Sequence, residues 1–247
     1  MSEQVQLLPV LYAMDEVYGW GRGMRAISHA LLANLMPVTG PILELGCGSG
    51  VFLRQLNAQR PAQSGIGLDT NGLALGYAHR QVGGSPLVQA DLRRLPFAAE
   101  RFRLLIALDV LDQNGINLQQ ALRECRRVLQ PDGLLFLRLS AHRWLQSEHD
   151  TAFNTGRRYN KQEVQTLLAQ THFAPIRITH ANMLLAPPVI LLRLLQRWRL
   201  APLTVYDYQQ TLANRLLLVA LRGEARWLRR YNLPFGISLY ILARKEA

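Results

Sequence analysis

The sequence predicts an α/β fold in which a mostly parallel sheet is covered by helices on both faces. Strand-like and helix-like segments alternate between residues 41 and 140, at a spacing typical of parallel strands joined by helices. A glycine-rich turn separates the first strand from the first of these helices. The segment from Phe102 to Leu108 is apolar except for Arg103, as expected of a strand buried in the middle of a sheet.

The first strand and its turn lie within Pro41 to Gly50, which reads Pro-Ile-Leu-Glu-Leu-Gly-Cys-Gly-Ser-Gly. Ile42 to Leu45 has the composition of a short strand. The glycines that follow can form a tight turn in which no Cβ keeps a ligand away from the backbone. Val51 to Ala58 then has helical spacing. The order strand, glycine turn, helix is typical of the first half of a nucleotide-binding unit.

The type of ligand follows from what the turn lacks and from Glu44. The dinucleotide fingerprint would need its third glycine at position 51, which is Val51, and no Gly-Lys-Ser/Thr phosphate loop is present. A carboxylate two residues before the turn would repel pyrophosphate, but it suits a ligand with positive charge. S-adenosylmethionine carries a sulfonium and an ammonium group and no phosphate.

At this point the chain resembles the class I S-adenosylmethionine-dependent methyltransferases, in particular the methyltransferase type 11-like branch. Their first motif is Glu/Asp-x-Gly-x-Gly-x-Gly, which matches Glu44 to Gly50. The alternative is an ordinary strand turn that happens to contain three glycines. Later strand ends favour the resemblance, which covers roughly residues 40 to 140.

The second predicted strand ends at Asp69, about 20 residues beyond the glycines, where an acid can accept both ribose hydroxyls. The third, Leu87 to Gln89, is followed by Asp91, and the resemblance implies that this acid takes the adenine amino group. We expect S-adenosylmethionine as the cofactor and no metal. The residues that the pattern and the resemblance assign to the cofactor are Glu44, Gly46, Cys47, Gly48, Gly50, Asp69, Thr70, Ala90, Asp91, Leu92 and Leu108.

The element pattern extends through the whole chain. Strands are expected near 42–46, 65–69, 87–90, 103–109 and 133–139, then over Phe173–Ala181 and Ile237–Ala243; helices are expected near 50–59, 71–81 and 117–129, then over Lys161–Gln170. The resemblance implies a Rossmann-like sheet of seven strands with an antiparallel last strand. One domain would then comprise an N-terminal lid and helix (1–38), a cofactor-binding core (39–181), a basic helical cap inserted between the last two strands (182–232) and the last strand (233–247).

The segment before the first strand is rich in aromatic residues and glycine, and a helix is predicted over Met24 to Met36. The glycines at 19, 21 and 23 argue against a rigid element before that helix. The resemblance implies a lid over the cofactor, with Tyr18, Trp20 and Arg22 in it, and with Tyr18 and Trp20 contacting the acceptor. A surface helix with an aromatic anchor is the alternative.

The acceptor side of the site is expected in the connection between Ser140 and Tyr159, at the carboxyl edge of the sheet. Methyl transfer from a sulfonium is a direct displacement that depends mainly on alignment, and a base is needed only for a hydroxyl or a protonated amine. The base candidates are His142, His149 and Tyr159, with Trp144 and Arg157 as acceptor contacts. His149 could be oriented by Asp150, whereas a structural hydrogen bond is the alternative role for either histidine.

Charge is distributed unevenly. The chain of 247 residues has a net charge of +11, with 14 basic and 13 acidic residues in 1–150 but 14 basic and 4 acidic in 151–247. Two helices are predicted in the basic part, over Met183–Arg199 and Thr211–Tyr231. On the second, four arginines fall within about 60° of one another and Leu217, Ala220 and Leu228 lie opposite; the arginines are Arg215, Arg222, Arg226 and Arg229.

Such basic amphipathic helices suggest contact of residues 183–231 with a membrane surface or a lipid-like acceptor. The alternative is a cap that packs on the sheet with its arginines in solvent. Glu224 interrupts the apolar side and is expected to be buried with a partner, such as an arginine from the 140–160 connection. Nucleic acid is disfavoured because the arginines lack interleaved aromatic residues, and because Asp109-Val-Leu-Asp112 is not the Asn/Asp-Pro-Pro-Tyr/Phe motif of base-amino methylation.

The remaining features predict a cytoplasmic enzyme with surface contact to a membrane. The start of the chain does not have the pattern of a signal peptide. The longest apolar run, Met183 to Leu192, contains two prolines and is too short to span a bilayer, and two cysteines fit a reducing compartment. The predicted function is transfer of a methyl group from S-adenosylmethionine to a small-molecule or lipid-like acceptor. The alternatives are a S-adenosylmethionine-binding scaffold at the membrane without transfer activity, and an RNA methyltransferase.

Overall fold

The computed structural model describes residues 16, 18–33, 39–59, 65–147, 150–151, 153–197 and 212–246. The strands are β1 (Ile42–Leu45), β2 (Ile66–Asp69), β3 (Leu87–Gln89), β4 (Phe102–Leu108), β5 (Leu129–Ser140), β6 (Phe173–Ala181) and β7 (Ser238–Lys245). The helices are α1 (Gly19–Leu32), α2 (Val51–Ala58), α3 (Gly72–Gln81), α4 (Leu118–Val128), α5 (Lys161–Gln170), α6 (Ala186–Arg197) and α7 (Leu212–Leu228), with a 3₁₀ turn at Arg143–Leu145.

All seven strands form one sheet in the order β3-β2-β1-β4-β5-β7-β6. β1 is parallel to β2 and β4, and β4 is parallel to β5, whereas β7 is antiparallel to both β5 and β6. The predicted fold class is therefore confirmed, including the antiparallel last strand and the helices inserted before it. The carboxyl ends of β1 to β5 share one edge, and the chain order reverses between β1 and β4, which is where open α/β sheets bind ligands.

The sheet has an apolar core on each face because neighbouring strand residues point to opposite sides. On one face, Leu43 and Leu105 pack with the apolar sides of α4 and α5. On the other face, Ile42 and Ile106 pack with α1, α2 and α7. β1 and β4 are almost wholly buried, as expected of strands that are apolar except for Glu44 and Arg103.

Three of the helices begin at an asparagine that caps them. The side chains of Asn71, Asn117 and Asn160 accept a backbone N–H from the first turn of α3, α4 and α5 at 2.9, 3.1 and 2.8 Å. An asparagine at this position satisfies a donor that the helix itself leaves unpaired. The predicted boundaries of these helices agree with the structure to within one residue.

The N-terminal helix differs from the prediction, because α1 begins at Gly19 and includes the glycines that argued against a rigid element. Gly19 and Gly23 face α7, where an added Cβ would overlap Asn214 and Leu221. The N–H of Gly19 also donates to the side chain of Asn214 at 2.9 Å. Close packing on α7 thus stabilises a segment whose intrinsic helix propensity is poor. α1 ends at Leu32, and the rest of the predicted helix lies partly outside the described residues.

Pro131 to Gly133, between the predicted helix near 117–129 and the predicted strand near 133–139, lies inside β5 as an irregularity. Asp132 has a φ of +58°, and the pairing with β4 moves from Phe102↔Leu129 directly to Leu104↔Leu134. The strand predicted near 133–139 is therefore the regular part of a longer one.

The helices inserted between β6 and β7 are shorter than predicted. α6 has two prolines in its first turn, where the missing N–H groups are tolerated. Across the part of the chain that the structure describes, none of the helices has both the length and the apolar character needed to cross a bilayer.

Candidate functional site

The glycine turn after β1 has the backbone conformation that its sequence requires. Gly46, Gly48 and Gly50 have φ angles of +67°, +53° and +78°, a region that side-chain-bearing residues rarely adopt. A Cβ on Gly46 would lie 2.5 Å from a methyl carbon of Val110. The turn therefore needs glycine both for its dihedral angles and for its contact with the segment after β4.

Asp69, at the end of β2, stabilises this turn through hydrogen bonds of its carboxylate. One carboxylate oxygen accepts the N–H of Gly48 at 3.0 Å, and the other accepts the N–H of Asn71 at 2.9 Å. A carboxylate has about four lone-pair sites, so each oxygen can accept one more hydrogen bond. Thr70 follows on the exposed side, and its carbonyl accepts the side-chain amide of Gln89 at 3.1 Å.

Cys47 and Glu44 are buried beside the turn. A Cβ on Gly67 of β2 would lie 2.9 Å from the Cys47 sulfur. The glycine at position 67 therefore allows β2 to pack closely against the glycine turn. Burial, followed by the charges of Glu44 and Asp69, raises the pKa of the Cys47 thiol far above its usual range. The thiol is therefore protonated and is no nucleophile. Glu44 is 3% exposed and lies on the same face of β1 as Ile42.

The segment after β3 holds Asp91 in an exposed ion pair. Arg93 donates to both of its carboxylate oxygens, with the shortest distance at 2.6 Å. Hydrogen bonds from Arg93 lower the pKa of Asp91. Ala90 is half-buried and Leu92 is buried. A ligand amino group at Asp91 would compete with Arg93, whose side chain is 58% exposed and free to rearrange.

A polar network that the sequence did not reveal crosses the sheet at the end of β4, directly after the half-buried Leu108. Arg138 of β5 pairs with Asp109 at 2.6 Å and donates to the Tyr240 hydroxyl at 3.2 Å. That hydroxyl lies 3.0 Å from the hydroxyl of Ser28 on α1. The only signal for the network in the sequence was an arginine inside an otherwise apolar strand.

Asp112 ties the segment after β4 to the connection after β5. Its carboxylate accepts the N–H of Ser140 at 2.7 Å, and its carbonyl accepts the N–H groups of Gly156 and Arg157 at 2.8 and 3.1 Å. Burial, and then the neighbouring charge of Asp109, raise the pKa of Asp112 to about 6. The side chain is only 2% exposed.

The connection itself is held by a buried ion pair between Asp150 and Arg158. The guanidinium donates to both carboxylate oxygens at 2.9 and 2.5 Å, and to the carbonyl of Ala141 at 3.0 Å. Arg193 of α6 lies 3.5 Å from the same carboxylate and donates to the carbonyl of Leu145 at 2.6 Å. Two guanidiniums thus engage Asp150. The predicted base His149 lies outside the described residues.

His142 belongs to a group of stacked rings at the carboxyl edge. Its ring centroid lies 4.7 Å from that of Phe235, 5.3 Å from that of His180 and 5.8 Å from that of Trp144. Its ring hydrogen-bonds to the backbone of Gly236, whereas Nε2 is buried and makes no hydrogen bond within the described chain. Burial lowers the pKa of His142, so the imidazole is neutral at pH 7.

His180 and Phe235 are the members of this group that the sequence analysis missed. Burial, and then His142, lower the pKa of His180 as well. The available signal was that His180 ends β6 and therefore lies at the same edge of the sheet as the connection after β5.

The other acceptor-side residues differ in how accessible they are. Tyr159 is 3% exposed, and burial raises the pKa of its hydroxyl. Arg157 forms an ion pair with Glu163, and its guanidinium lies 5.1 Å from the Tyr159 ring. Trp144 is 58% exposed. Arg157 is therefore already paired, whereas Trp144 is largely exposed and its ring neighbours that of His142.

The predicted lid residues lie on or next to α1. Tyr18 precedes the helix, and its backbone carbonyl accepts the N–H of Arg22 at 3.0 Å. Trp20 is partly buried and packs against the apolar core shared by α1 and α7. Arg22 is exposed and lines a concavity of about 250 Å³ with residues that include Arg25 and Arg222.

Glu224 is buried as predicted, with 4% exposure, but its partner is different from the predicted arginine. It accepts the backbone N–H groups of Met183 at 3.0 Å and Leu184 at 3.4 Å, together with that of Asn182. These N–H groups belong to the turn before α6, which leaves donors without intrahelical acceptors. Among the residues that the structure places, no group of three or more His, Cys, Asp or Glu side chains could hold a metal ion.

Comparison with known proteins agrees with this architecture. Residues 43–137 match the methyltransferase-domain family Methyltransf_11. A malonyl-[acyl-carrier protein] O-methyltransferase of Legionella pneumophila is 33% identical over 122 residues, which cover 48% of this chain and 42% of that protein. The chain spans about half the length of the curated relatives it matches.

Solved structures match over almost the whole chain. A chain of the complex between the Haloferax volcanii Trm112 methyltransferase activator and a methyltransferase has a TM-score of 0.65 at 15% identity, covering 100% of this chain and 99% of that one. A SAM-dependent methyltransferase of Thermotoga maritima has a TM-score of 0.61 at 12% identity, with 98% and 96% covered. At such identities the likeness shows the fold.

The sheet order and the glycine turn are those of the class I S-adenosylmethionine-dependent methyltransferases, and the family and sequence matches support that class for the part of the chain that they cover. Within that class, residues 43–137 form a methyltransferase domain of the Methyltransf_11 family.

Proposed function

We propose that this protein transfers the methyl group of S-adenosylmethionine to a small-molecule or lipid-like acceptor. The observation that carries the proposal is the glycine turn at the carboxyl edge, with three positive φ angles and with Asp69 fastened to it through the N–H of Gly48. The match of residues 43–137 to a methyltransferase-domain family supports the same reaction.

The turn and the acids around it suit this cofactor. Asp69 retains lone pairs for two ribose hydroxyls while holding Gly48 and Asn71. Glu44 places a buried carboxylate at the end of β1 and suits the cationic methionine part of the cofactor. The glycine turn leaves space where side chains would obstruct the ligand, and Asp91 would bind the adenine amino group in place of Arg93.

When bound, S-adenosylmethionine would supply a methyl group on a good leaving group. The role of the chain is then to orient the donor and acceptor in line and to exclude water. Orientation of this kind can lower the activation free energy by about 7–11 kcal/mol for well-oriented reactants. The segments that would orient the acceptor are the ones tied together by Asp112 and by the Asp150–Arg158 pair.

His142 is the base that we favour for a hydroxyl acceptor. Its lowered pKa keeps the imidazole neutral, and its buried Nε2 is free of other hydrogen bonds within the described chain. Tyr159 is a weaker candidate because its raised pKa keeps the hydroxyl protonated. Trp144, with its exposed ring, would contact the acceptor, whereas Arg157 would first have to leave Glu163.

The acceptor is proposed from this chain and not from its relatives. The Legionella protein acts on a malonyl group of the acyl-carrier protein. The family match ends at residue 137, before the connection that would contact an acceptor. An acyl group bound to a carrier protein is therefore one of the lipid-like acceptors to be tested as a substrate.

The first test is binding of S-adenosylmethionine and S-adenosylhomocysteine measured by calorimetry. We expect micromolar affinity, about −8 kcal/mol, for the wild type. Asp69→Ala should weaken it about 100-fold or more, because two hydrogen bonds to a charged group are worth about 1.5–3 kcal/mol each. Glu246→Ala, which removes an exposed carboxylate after the end of β7, is the matched control. Absence of binding by folded wild-type protein would refute the proposal.

The second test separates an enzyme from a binding protein. Wild-type protein is incubated with methyl-labelled cofactor and fractions of small molecules, lipids, acyl-carrier thioesters and RNA, and the labelled fraction is identified. Label in RNA with a steep salt dependence would favour the RNA alternative, and binding without any labelled product would favour a scaffold. His142→Ala should abolish transfer to a hydroxyl acceptor but leave cofactor binding unchanged, and Tyr159→Phe should retain transfer.

A further inference from the structure

Helix α7 has a second apolar face that points away from the protein. Its inner face, which includes Leu221, Ala225 and Leu228, is buried against the core shared with α1. On the outer side four large apolar residues fall within about 80° of one another at 100° per residue. These residues, which we name the outward stripe, are Leu212 (72% exposed), Leu216 (61%), Val219 (66%) and Trp227 (54%).

A row of arginines runs beside the outward stripe. Arg215, Arg222, Arg226 and Arg229 are all exposed and fall within about 60° of one another on one side of the stripe. Between Leu212 and Leu228 the sequence has a single carboxylate, Glu224, which is buried and bound to backbone N–H groups. The outer surface of α7 is therefore apolar and cationic, without a compensating acid of its own.

The row continues into the concavity beside α1. Arg222 lines this space of about 250 Å³ together with Arg22 and Arg25, and the other lining residues are Glu16, Ala26, His29 and Gln55. Glu16 is already paired with Arg54. The concavity has the charge that a phosphate group requires, and Arg222 connects it to the arginine row beside the outward stripe.

We propose that the outer surface of α7 docks on an anionic phospholipid surface. The outward stripe would insert at the boundary between headgroups and acyl chains, while the arginine row and the concavity would bind lipid phosphates. A helix with leucine and tryptophan on one side and arginines beside them is typical of helices that lie in the membrane interface. The stripe forms a convex ridge, which a lipid surface accommodates without a complementary groove.

The same features disfavour two other occupants. In an antiparallel dimer of two copies on this face, whose two-fold axis is perpendicular to α7, the two rows of arginine would lie side by side and repel each other. Nucleic acid would pair with the arginines but would leave the stripe in water. The proposal concerns the surface of α7 and does not rest on the proposed methyl transfer.

The test is co-sedimentation of the full chain with vesicles of phosphatidylcholine alone and of phosphatidylcholine mixed with phosphatidylglycerol. We expect binding to the mixed vesicles that weakens with salt, and little binding to the neutral ones. Arg222→Gln/Arg226→Gln should weaken binding about 30-fold, the change that corresponds to about 1 kcal/mol per basic residue. Leu212→Ser/Leu216→Ser/Val219→Ser should weaken it at least about 10-fold, including at high salt.

Matched controls change the same residue types elsewhere on the surface. Arg80→Gln/Arg123→Gln removes two exposed arginines from α3 and α4, and Leu73→Ser/Ile176→Ser removes two apolar side chains that are each 45% exposed. Both should bind vesicles as the wild type does, and all variants should unfold in a single cooperative transition.

Two results would overturn the proposal. One is equal binding of the wild type and both α7 variants to the mixed vesicles. The other is a dimer in size-exclusion chromatography with light scattering that the stripe substitutions dissociate, because the stripe would then be an interface between copies.

Discussion

Asp112 is the group whose ionisation should most affect the stability of this protein. Its carboxylate is almost fully buried, and its pKa is raised from 3.8 to about 6 by burial and by Asp109. The replacement Asp112→Asn keeps an oxygen that can accept the N–H of Ser140, but it cannot ionise. The variant therefore tests the charge while it preserves the hydrogen bond.

The magnitude follows from the shift in pKa. A folded-state pKa above the unfolded value means that the folded protein binds the proton more tightly, so that stability falls as pH rises from about 4 to about 6. A shift of about two units corresponds to about 3 kcal/mol of stability, which is present in full below pH 4 and is lost above pH 6. Asp112→Asn should match the wild type near pH 4 and exceed it by about 3 kcal/mol, or about 6–12 °C in Tm, at pH 7.

Urea denaturation followed by circular dichroism at several pH values between these limits measures the difference. Asp132→Asn, at an exposed position in β5 that also has a positive φ, is the control and should leave the pH dependence unchanged. A variant less stable than the wild type at pH 7, or a difference independent of pH, would refute the reasoning. The first result would mean that the ionised carboxylate is stabilised by the Ser140 N–H more than it is penalised by burial, and the second would mean that the two effects balance.

Three further predictions concern the turn, the insertion and the thiols. Gly46→Ala should destabilise the protein by about 2–4 kcal/mol in urea denaturation, because of its positive φ and the close approach of Val110, and wild-type stability would contradict this. Glu224→Ala should lower the free energy of unfolding by about 3–5 kcal/mol, because three backbone N–H groups lose a charged acceptor. Glu224→Gln should restore part of the lost stability. A loss below 1 kcal/mol in Glu224→Ala, about the worth of one hydrogen bond, would show that water replaces the carboxylate. Burial raises the pKa of both thiols, that of Cys125 to about 12. Neither Cys47 nor Cys125 should therefore react with iodoacetamide until the protein unfolds. A labelled cysteine found by mass spectrometry of the folded protein would contradict this prediction.

Much of the fold, and the geometry of the glycine turn, could be predicted from local sequence. The apolar runs of β1 and β4, the asparagine caps and the glycine spacing each depend on residues close together in the chain. Parallel strands bring their carboxyl ends to one edge, so the acids at the ends of β1 and β2 and after β3 could be placed near one another from the sequence.

Other features depend on contacts between distant segments and carry no local signal. The start of α1 at Gly19 follows from its packing on α7, almost two hundred residues later, which reverses the local preference of its glycines. The partner of Glu224 is a turn before α6 and not an arginine, because unsatisfied N–H groups meet the carboxylate only in the folded chain. The stacking of His142 with His180 and Phe235 likewise joins three separate segments.

The sequence by itself determined the class of fold, the glycine turn and the acids at the strand ends, because strand and turn propensities act over a few residues. Only the tertiary structure decided which charged groups remain available. Arg157 and Asp150 are engaged by ion partners, whereas Arg215, Arg222 and Arg226 of α7 are exposed beside an apolar stripe. The physical reason is that a side chain's availability depends on burial and on ion partners, and both are set by segments far away in the sequence.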